Sequence, residues 1–287
     1  MKIVLKLALL VVVYYMVVGL FGFLDRYITN KSKLKITFAD VGQGDAVLVT
    51  VADKNILVDT GGYGSSDVFI NNLFHSPRCY FEAVFVTHPH ADHAGDLERI
   101  LQRCKIGILR INDVAGDVWA TSDFTTRVQK NSQTNNFRDQ VVAGEKYIFG
   151  ETKFYIFWPS KIFLENFNKL KTSTRDLNKV STVILVKYAD KEILLTGDAE
   201  SSVLLQIDLA ALRRLIDGPL DVLKVPHHGS RLAVNGDILE LLRPIHCVIS
   251  VGANNYGHPN AGTLDLLSKH CKVYRTDTDG NIEFAFK

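Results

Sequence analysis

The sequence predicts an α/β fold in which two β-sheets pack face to face and helices cover their outer surfaces. Short apolar runs with strand-like spacing occur in both halves of the chain, and segments with helical spacing follow them in each half. No repeat of solenoid length is present. The 287 residues suffice for one large domain or two modest ones, and we expect a single domain over residues 34–287.

In the first half, five runs predict strands because their apolar residues alternate with polar ones or form short continuous blocks. They lie at 34–38, 46–51, 55–58, 83–87 and 106–111. Helical spacing occurs at 66–74 and 96–104. Residues 112–140 are rich in Asn, Asp, Thr and Gln, which predicts a surface excursion or a short helix.

In the second half, further runs predict strands at 152–158, 183–188, 192–196, 222–225, 247–251, 273–274 and 282–286. Helical spacing occurs at 201–216 and 261–269. Both halves therefore contain strands followed by helices, which is the pattern expected of a layered fold with its helices outside.

The N-terminal region has eighteen residues without a charge, over 7–24, preceded by Lys2 and Lys6. This length can just cross a bilayer, and no small-x-small cleavage site follows it. We therefore expect residues 1–33 to form an uncleaved single-pass membrane anchor and a short linker; a buried core helix is the alternative. Lys2 and Lys6 favour a cytoplasmic N-terminus, while basic residues after the span oppose it. We expect the following domain to lie outside the cytoplasm.

Charge and cysteine content narrow the possible classes of protein. The net charge of +2 comes from Lys2 and Lys6, and the rest of the chain has 31 basic and 31 acidic residues. This balance argues against tight, non-specific nucleic-acid binding by the whole surface, although a local basic patch is compatible with it. The four cysteines form no C-x-x-C pair, so we expect buried free thiols rather than a disulfide frame or a zinc knuckle: Cys79, Cys104, Cys247 and Cys271.

The densest group of possible metal ligands is the segment His88-Pro-His90-Ala-Asp92-His93. It follows the apolar run 83–86, so a strand would carry these side chains to one edge of a sheet, and a helix could begin at Asp92. Imidazole and carboxylate ligands together suit zinc, manganese or iron. So many ligands in so short a segment indicate two metal ions rather than one. The alternative is a polar turn that is rich in histidine.

Two other predicted strands end in residues that bind metals. Asp198 ends the segment Thr-Gly-Asp, where it either bridges two metal ions or caps the next helix. His227 and His228 follow the run 222–225 and precede a glycine, and both are candidate metal ligands. Neighbouring side chains of an extended chain point to opposite sides, so we expect one of these histidines to bind metal and the other to face the substrate.

Several further positions are candidates for supporting roles. Asp59 follows the run ending at 58 and either orients a metal-binding histidine or forms a plain Asp-Gly turn. A glycine-rich corner contains Asp40, Gln43 and Asp45 and lacks the Gly-Lys-Ser/Thr end of a P-loop, so these side chains either hold the loop or reach the site. His258 stands alone in the turn Tyr-Gly-His-Pro, where it contacts substrate or packs the loop.

In this order, the candidate residues resemble the metal site of the metallo-β-lactamase fold superfamily, and the chain looks most like the hydrolase domain of the ComEC-type DNA-uptake proteins. The resemblance runs from about residue 34 to the end and implies an αββα sandwich. The segments that support it include Asp-Val-Gly-Gln-Gly-Asp at 40–45, Leu-Thr-Gly-Asp-Ala-Glu at 195–200, Val-Pro-His-His-Gly-Ser at 225–230 and Tyr-Gly-His-Pro at 256–259.

The resemblance implies two divalent metal ions, zinc or manganese. The first would lie near His88 and His90, and the second near Asp92, His93 and one of the 227/228 pair, with the bridging carboxylate of Asp198 between them. Many members of the DNA-uptake group carry Asp where this chain has a histidine at position 90.

This chain departs from the superfamily pattern at one metal ligand. Superfamily hydrolases usually supply another histidine between the first cluster and the bridging Asp, and here none occurs between residues 94 and 226. The DNA-uptake group has Asn and Ser near that point, as Asn178 and Ser181 stand here, and Ser230 is a further supporting candidate. The first metal is then short of one ligand, or it takes His227 or His228.

Metal-dependent hydrolysis of phosphodiester bonds in DNA is the leading functional hypothesis. Two divalent ions would activate water and stabilise charge on a phosphoryl oxygen. Asp92 would guide the proton of the water, and His258 or the non-ligand histidine of the 227/228 pair would protonate the leaving oxygen. Three basic residues near these segments are candidates for phosphate contacts: Lys224, Arg231 and Arg275.

Two alternatives stay open. The chain could hydrolyse another phosphoester, a lactam or a thioester at the cell envelope, which the predicted anchor and the neutral body favour. It could instead be a non-catalytic, membrane-tethered subunit that binds DNA or assists assembly, which the missing third histidine favours. The full-length uptake proteins have a large multi-span domain, so we expect a separate protein to provide any DNA channel.

Overall fold

A computed structural model describes residues 34–52, 54–68, 70, 79–112, 137–138 and 140–286, together with positions 14–16 and 19. Most of the predicted anchor and its linker lie outside these residues, as do part of the predicted helix at 66–74 and most of the polar segment at 112–140. Among the helices that are described, none has the length and apolar character needed to cross a bilayer.

The first sheet consists of seven strands in the described part of the chain. Its strands are β1 (Leu34–Phe38), β2 (Val47–Val51), β3 (Lys54–Val58), β4 (Cys79–Val86), β5 (Cys104–Ile111), β6 (Phe137–Arg138) and, from the end of the chain, β14 (Ile282–Phe286). They lie in the order β14-β1-β2-β3-β4-β5-β6. The pairs from β14 to β3 are antiparallel, and the pairs from β3 to β6 are parallel.

The second sheet repeats this plan with seven strands of the described second half. They are β7 (Lys146–Phe149), β8 (Thr152–Trp158), β9 (Val183–Tyr188), β10 (Lys191–Leu195), β11 (Val222–Lys224), β12 (His246–Ile249) and β13 (Lys272–Arg275). They lie in the order β13-β12-β11-β10-β9-β8-β7. The pairs from β7 to β10 are antiparallel, and those from β10 to β13 are parallel.

Short helices connect these strands. They are α1 (Ala91–Ala94), α2 (Leu97–Arg103), α3 (Lys161–Phe167), α4 (Ser201–Leu204), α5 (Leu209–Leu215), α6 (Gly236–Leu242), α7 (Ala261–Ser268) and α8 (Thr276–Asp279), with 3₁₀ turns at Thr172–Thr174, Leu177–Val180 and His227–Gly229. The continuous helix predicted over 201–216 is wrong. It is two helices because the Asp208 side chain accepts a hydrogen bond from the backbone N of Ala211 at 2.8 Å and starts a new helix there.

The core lies between the sheets, as the alternation of the strands predicts. Phe85 of the first sheet stacks on Phe154 of the second, with ring centroids 5.8 Å apart, and both are almost fully buried. Each such side chain contributes roughly 1.5–3 kcal/mol through its burial. The outer faces pack against helices, through Leu97 and Ile100 on the first sheet and Leu212 and Leu239 on the second. The result is the predicted αββα sandwich.

The prediction of free cysteines is wrong, because the structure contains two disulfides, Cys79–Cys104 and Cys247–Cys271. Cys79 and Cys104 begin β4 and β5 and stand directly opposite each other in the parallel ladder. Their Cα atoms are 4.4 Å apart, and those of the second pair are 5.9 Å apart. Each bond joins positions about 25 residues apart, a pairing that depends on strand register and helix packing rather than on local spacing.

Candidate metal centre

The candidate metal ligands collect at one edge of the sandwich, where strands of both sheets end. Asp59 follows β3 and His88 follows β4, while Asp198 follows β10 and His228 follows β11. Both pairs of strands are parallel, so their carboxyl ends reach the same edge. This topology brings together ligands that are more than 100 positions apart in the sequence.

A buried histidine, His93, lies at the centre of the site. Its Nδ1 is 2.8 Å from Oδ2 of Asp59. The Asp59 carboxylate also accepts hydrogen bonds from the backbone N and from Oγ1 of Thr87, at 2.7 and 2.8 Å. These contacts hold the imidazole with Nε2 directed at Asp198, 3.2 Å from its Oδ1. Such a carboxylate behind a histidine sets the ring's tautomer and orientation for binding a metal.

One group of ligands, the Asp92 cluster, comprises Asp92, His93 and His228 together with Asp198. Nε2 of His228 is 3.1 Å from Oδ2 of Asp92 and 3.8 Å from Oδ2 of Asp198. Nε2 of His93 is 4.0 Å from Oδ2 of Asp92. Ligands at ordinary metal distances around one tetrahedral ion lie about 3.4 Å from one another. The Asp92 cluster therefore has the dimensions of a divalent metal site.

A second group, the His88 cluster, comprises His88 and His90 together with Asp198. Nε2 of His88 lies 3.0 Å from Nδ1 of His90 and 3.7 Å from Oδ2 of Asp198. The Oγ of Ser181 is 3.0 Å from Nδ1 of His88 and accepts a hydrogen bond from the backbone N of Asp198 at 3.1 Å. Ser181 therefore stands behind the ligands and orients two of them.

Two groups of ligand atoms lie close enough together to hold a divalent ion each, His88, His93 and Asp198 in one and Asp92, His93 and His228 in the other. Asp198 also lies 3.8 Å from His228 and so stands between the two. Nε2 of His93 and Oδ1 of Asp198 are buried and lie 3.2 Å apart without the geometry of a hydrogen bond, and neither has another partner in the described part of the chain. An unpaired buried polar atom costs about 1–3 kcal/mol, a cost that a bound cation removes. Mixed imidazole and carboxylate donors suit zinc, manganese and iron. The binding of each metal by these residues stays a prediction.

The protonation preferences of three ligands, Asp198, His88 and Asp92, suit cations. Burial raises the pKa of the Asp198 carboxyl, but positive charge on His93 and His228 outweighs burial and holds that pKa well below its ordinary value. Burial lowers the pKa of His88 well below its ordinary value. Burial likewise raises the pKa of Asp92, but His93 and His228 reverse this and lower it. Anionic carboxylates and a neutral His88 are the forms that bind metals. Burial lowers the pKa of His93, but the carboxylates of Asp198, Asp45 and Asp59 outweigh burial and raise it well above its ordinary value, so this ring loses a proton when it binds a metal.

His227 and His228 both reach this edge, so the extended backbone assumed for them is wrong, while the expectation that one binds metal and the other faces the substrate stays a prediction. The chain is not extended here, because His227, His228 and Gly229 have φ angles of +47°, +51° and +76°. Positive φ is uncommon for residues other than glycine and is found preferentially at functional sites. Nδ1 of His228 lies 2.8 Å from the carbonyl oxygen of Ser250, which directs its Nε2 at Asp92.

Glu200 is a site residue to which the sequence analysis assigned no role. Its Oε1 lies 2.8 Å from Nδ1 of His227 and accepts a hydrogen bond from Oγ of Ser230 at 2.5 Å. Nε2 of His227 is 3.9 Å from Oδ2 of Asp198, so the ring extends from Glu200 towards the metal clusters. The signal in the sequence is the spacing Asp-x-Glu, with Glu200 two positions after the shared ligand.

The other predicted supporting residues divide into two groups. Gln43 and His258 line the cavity of the site, and the His258 ring is 5.0 Å from that of His227. The amide nitrogen of Asn178 is 3.3 Å from Nε2 of His227. Asp40 instead accepts a hydrogen bond from the backbone of its own glycine-rich corner, at 3.2 Å, and holds that loop.

Lys224 was predicted as a phosphate contact, and this prediction is wrong because the side chain is 1% exposed. Its Nζ pairs with Oδ2 of Asp45 and donates a hydrogen bond to the carbonyl oxygen of Gly197 at 2.9 Å. It also lies 3.9 Å from Oδ1 of Asp198. Lys224 therefore balances part of the negative charge behind the metal clusters. A lysine inside an apolar strand next to two histidines was the signal for this role.

Asp45 and Arg275 each pair with a neighbouring charge. Asp45 is buried within 3.6 Å of both His93 and His228, but its partner is the lysine just described. Arg275 forms an ion pair with Asp277 at 2.6 Å. The cavity at the site has a volume of about 380 Å³ and is lined by Gln43, His90, Ala91, Asp92, Asp198, His227, His228, Tyr256 and His258.

Comparison with known proteins identifies the family of the chain. The sequence matches the family described as the metallo-beta-lactamase superfamily over residues 39–244. It is 27% identical over 276 residues to ComE operon protein 3 of Bacillus subtilis, covering 89% of this chain and 33% of that protein. It is 28% identical over 263 residues to Recombination protein 2 of Haemophilus influenzae, covering 90% of this chain and 29% of that protein. The predicted resemblance to ComEC-type proteins is confirmed, and the chain spans about a third of these relatives' length.

A solved structure supports the fold. A diphosphatase from the PhnP family superposes with a TM-score of 0.50 at 14% identity, over 88% of this chain and 99% of that one. At this identity the likeness shows the fold alone. The family match covers more than half of the chain, and its residues include every member of the two metal clusters. The chain therefore belongs to the metallo-beta-lactamase superfamily of metal-dependent hydrolases.

Proposed function

We propose that this metal-dependent hydrolase cleaves phosphodiester bonds of DNA. The observation that carries the proposal is the arrangement around Asp198. This carboxylate lies 3.7 Å from His88 and 3.8 Å from His228, so it stands between the two ligand clusters at one cavity. A further histidine, His227, faces the same cavity with a carboxylate behind it. Phosphodiester hydrolysis needs these parts: cations for the phosphoryl oxygens, an attacking water and a proton donor for the leaving oxygen.

When bound, two divalent cations lower the pKa of water and stabilise the charge that develops on the phosphoryl group. The protein residues hold the geometry for this chemistry. Asp198 stands between the clusters, and Asp59 and Ser181 orient His93 and His88 from behind. One carboxylate oxygen of Asp92, Oδ2, lies 3.1 Å from Nε2 of His228. Asp92 also lines the cavity, where its carboxylate can accept a proton from the attacking water.

His227 is the best-placed donor of a proton to the leaving oxygen. Its Nδ1 contacts Glu200, so Nε2 is the atom that faces the reacting groups. A carboxylate partner stabilises the protonated ring and holds it in one orientation. Burial lowers the pKa of His227, but the hydrogen bond to Glu200 outweighs burial and raises it. His258 is the second choice, because neighbouring His227 and His228 lower its pKa in addition to burial.

The names of the relatives support DNA as the substrate. ComE operon protein 3 and Recombination protein 2 are competence-type proteins, and a further relative from Neisseria gonorrhoeae is named Competence protein ComA. The chain covers about a third of those relatives, so DNA cleavage in an uptake context is our proposal for this chain.

We also propose that residues 7–24 tether the domain to a membrane, with the hydrolase outside the cytoplasm. The uncharged length of the segment supports this position. The two disulfides support an oxidising compartment, because such bonds persist outside the cytosol. Access of an external protease to the hydrolase domain in intact spheroplasts would test it, and full protection would contradict it.

The test of the proposed activity is a substrate panel. The purified chain with Mn²⁺ or Zn²⁺ should hydrolyse single-stranded or duplex DNA, and His88→Ala should lose this activity. Turnover of small phosphodiesters without any turnover of DNA would favour the envelope-phosphoester alternative. DNA cleavage that survives both His88→Ala and Asp198→Ala would contradict the metal mechanism.

A further inference from the structure

The rim of the cavity carries an aromatic side chain that the proposed hydrolysis does not use. Tyr256 lines the cavity beside His258, and its side chain is 75% exposed. Exposure alone does not set it apart, because Tyr63 is 74% exposed at a position that does not line the cavity. The position and the rigid support of Tyr256 distinguish the two tyrosines.

The loop that presents Tyr256 is held by a side-chain clamp. Oδ1 of Asn254 accepts hydrogen bonds from the backbone N of Tyr256 and of His258, both at 3.1 Å. Nδ2 of Asn254 donates to the carbonyl oxygens of Gly252 and His258, both at 2.8 Å. The exposed ring therefore stands on a loop whose backbone is fixed at both ends.

The base of this loop is also packed against the glycine-rich corner. A Cβ at Gly252 would lie 2.3 Å from the carbonyl carbon of Gly42, so the two backbones approach as closely as glycine allows. The backbone N of Gly252 donates to Oε1 of Gln43 at 3.3 Å. A ring on such a support loses little further freedom when a ligand covers it, which favours binding.

The chemistry next to this ring points to a nucleobase. The cavity of about 380 Å³ is near the lower end of ligand pockets, so a polymeric phosphodiester can place only a short segment in it. The neighbouring base must then lie at the rim. Exposed aromatic rings beside a backbone site are how proteins hold single-stranded nucleic acids, because every base has a face that can stack.

We propose that Tyr256 is the stacking platform for the base next to the cleaved phosphodiester, and that the preferred substrate is therefore single-stranded nucleic acid. The proposal rests on the proposed function. Bases inside a duplex are already stacked on their neighbours, and they reach Tyr256 only after they leave the stack. The ring is a specificity-determining group and takes no part in the bond-breaking step.

The test removes the ring and the base separately. The full chain with Mn²⁺ is assayed on a single-stranded oligodeoxynucleotide and on an oligomer of the same length in which every base is replaced by an abasic residue. Tyr256→Ala should raise KM for the first oligomer roughly 5- to 150-fold and leave kcat nearly unchanged. It should leave KM for the abasic oligomer unchanged, since no base is there to stack. Tyr256→Phe should keep the wild-type KM.

The matched control is Tyr63→Ala, which removes an equally exposed ring that does not line the cavity and should change neither KM. An equal effect of Tyr256→Ala on both oligomers, or no effect on either, would overturn the stacking proposal while DNA cleavage stands. A preference of the wild type for duplex over single strand would also overturn it. A wild-type chain that cleaves small phosphodiesters but neither kind of DNA would overturn the proposed function itself.

Discussion

The two metal clusters differ in how completely the protein builds them. The Asp92 cluster combines two imidazoles and a carboxylate with Asp198, at separations of 3.1 to 4.0 Å. The His88 cluster has two imidazoles and Asp198, and the chain has no histidine between residues 94 and 226 to complete it. We therefore expect unequal affinities, with the metal at the Asp92 cluster bound more tightly.

The side chains that orient the ligands also support the Asp92 cluster more strongly than the His88 cluster. Asp59 holds His93 through a charged carboxylate, and Lys224 with Asp45 supplies a buried ion pair beside it. His88 is supported by the neutral hydroxyl of Ser181. Charge-assisted hydrogen bonds are about twice as strong as neutral ones. The Asp92 cluster is thus the more firmly oriented of the two.

Removing the ligand that both clusters share should have the largest effect. Asp198→Ala should abolish binding at both positions and lower phosphodiesterase activity by about a thousandfold or more, because metal catalysis supplies several kcal/mol. Metal content and activity of the purified variant measure this. Asp190→Ala, at a carboxylate that is 76% exposed, is the control and should keep both. If Asp198→Ala retained two metal ions, Asp198 would not be a ligand shared by both clusters.

Lys224→Met should destabilise the fold by about 3–5 kcal/mol, because it leaves the buried Asp45 carboxylate without its partner. Urea denaturation of the metal-free protein measures this loss. The double variant Lys224→Met with Asp45→Asn should recover part of it, since both charges are then gone. If the single variant were as stable as the wild type, Lys224 would not be the charge that supports the Asp92 cluster.

Asp59→Asn should weaken metal binding at the Asp92 cluster by about 10- to 100-fold. An amide in place of the carboxylate no longer fixes the tautomer and orientation of His93, while binding at the His88 cluster should change less. Competition with a chromophoric chelator gives the two affinities separately. An equal loss at both positions would show that Asp59 supports the whole site rather than one cluster.

Ser181→Ala should have the smallest effect on metal affinity, and this effect should fall mainly on the His88 cluster. It removes one neutral hydrogen bond to His88, worth about 0.5–1.5 kcal/mol, or roughly a two- to tenfold loss of affinity at the His88 cluster. It also removes the acceptor of the backbone N of Asp198, and this smaller effect should reach both clusters. The same chelator competition measures it. A greater loss at the Asp92 cluster than at the His88 cluster would reverse our assignment of the supporting residues.

The sequence predicted the layers and the chemical content of the site because both are local signals. Apolar alternation marked strands such as β1 and β8, and ligand-type residues stood where strands end. Sequence patterns did not indicate the residues whose roles depend on tertiary contacts. The disulfide between Cys79 and Cys104 depends on the register of two parallel strands. The role of Glu200 depends on the fold that brings His227 next to it.

Local backbone conformation caused another error. The rule that adjacent side chains point apart assumes an extended chain, and the positive φ angles of His227 and His228 break that assumption. The predicted phosphate contact by Lys224 failed for a different reason, since its burial depends on the packing of β11 between its neighbours.

The most direct test of unequal metal positions is a calorimetric titration of Mn²⁺ or Zn²⁺ into chelator-treated protein, repeated with His228→Ala and with His88→Ala. We predict two binding steps of different affinity in the wild type, loss of the tight step in His228→Ala and loss of the weak step in His88→Ala. Two equal steps in the wild type, or loss of the tight step in His88→Ala, would contradict the account.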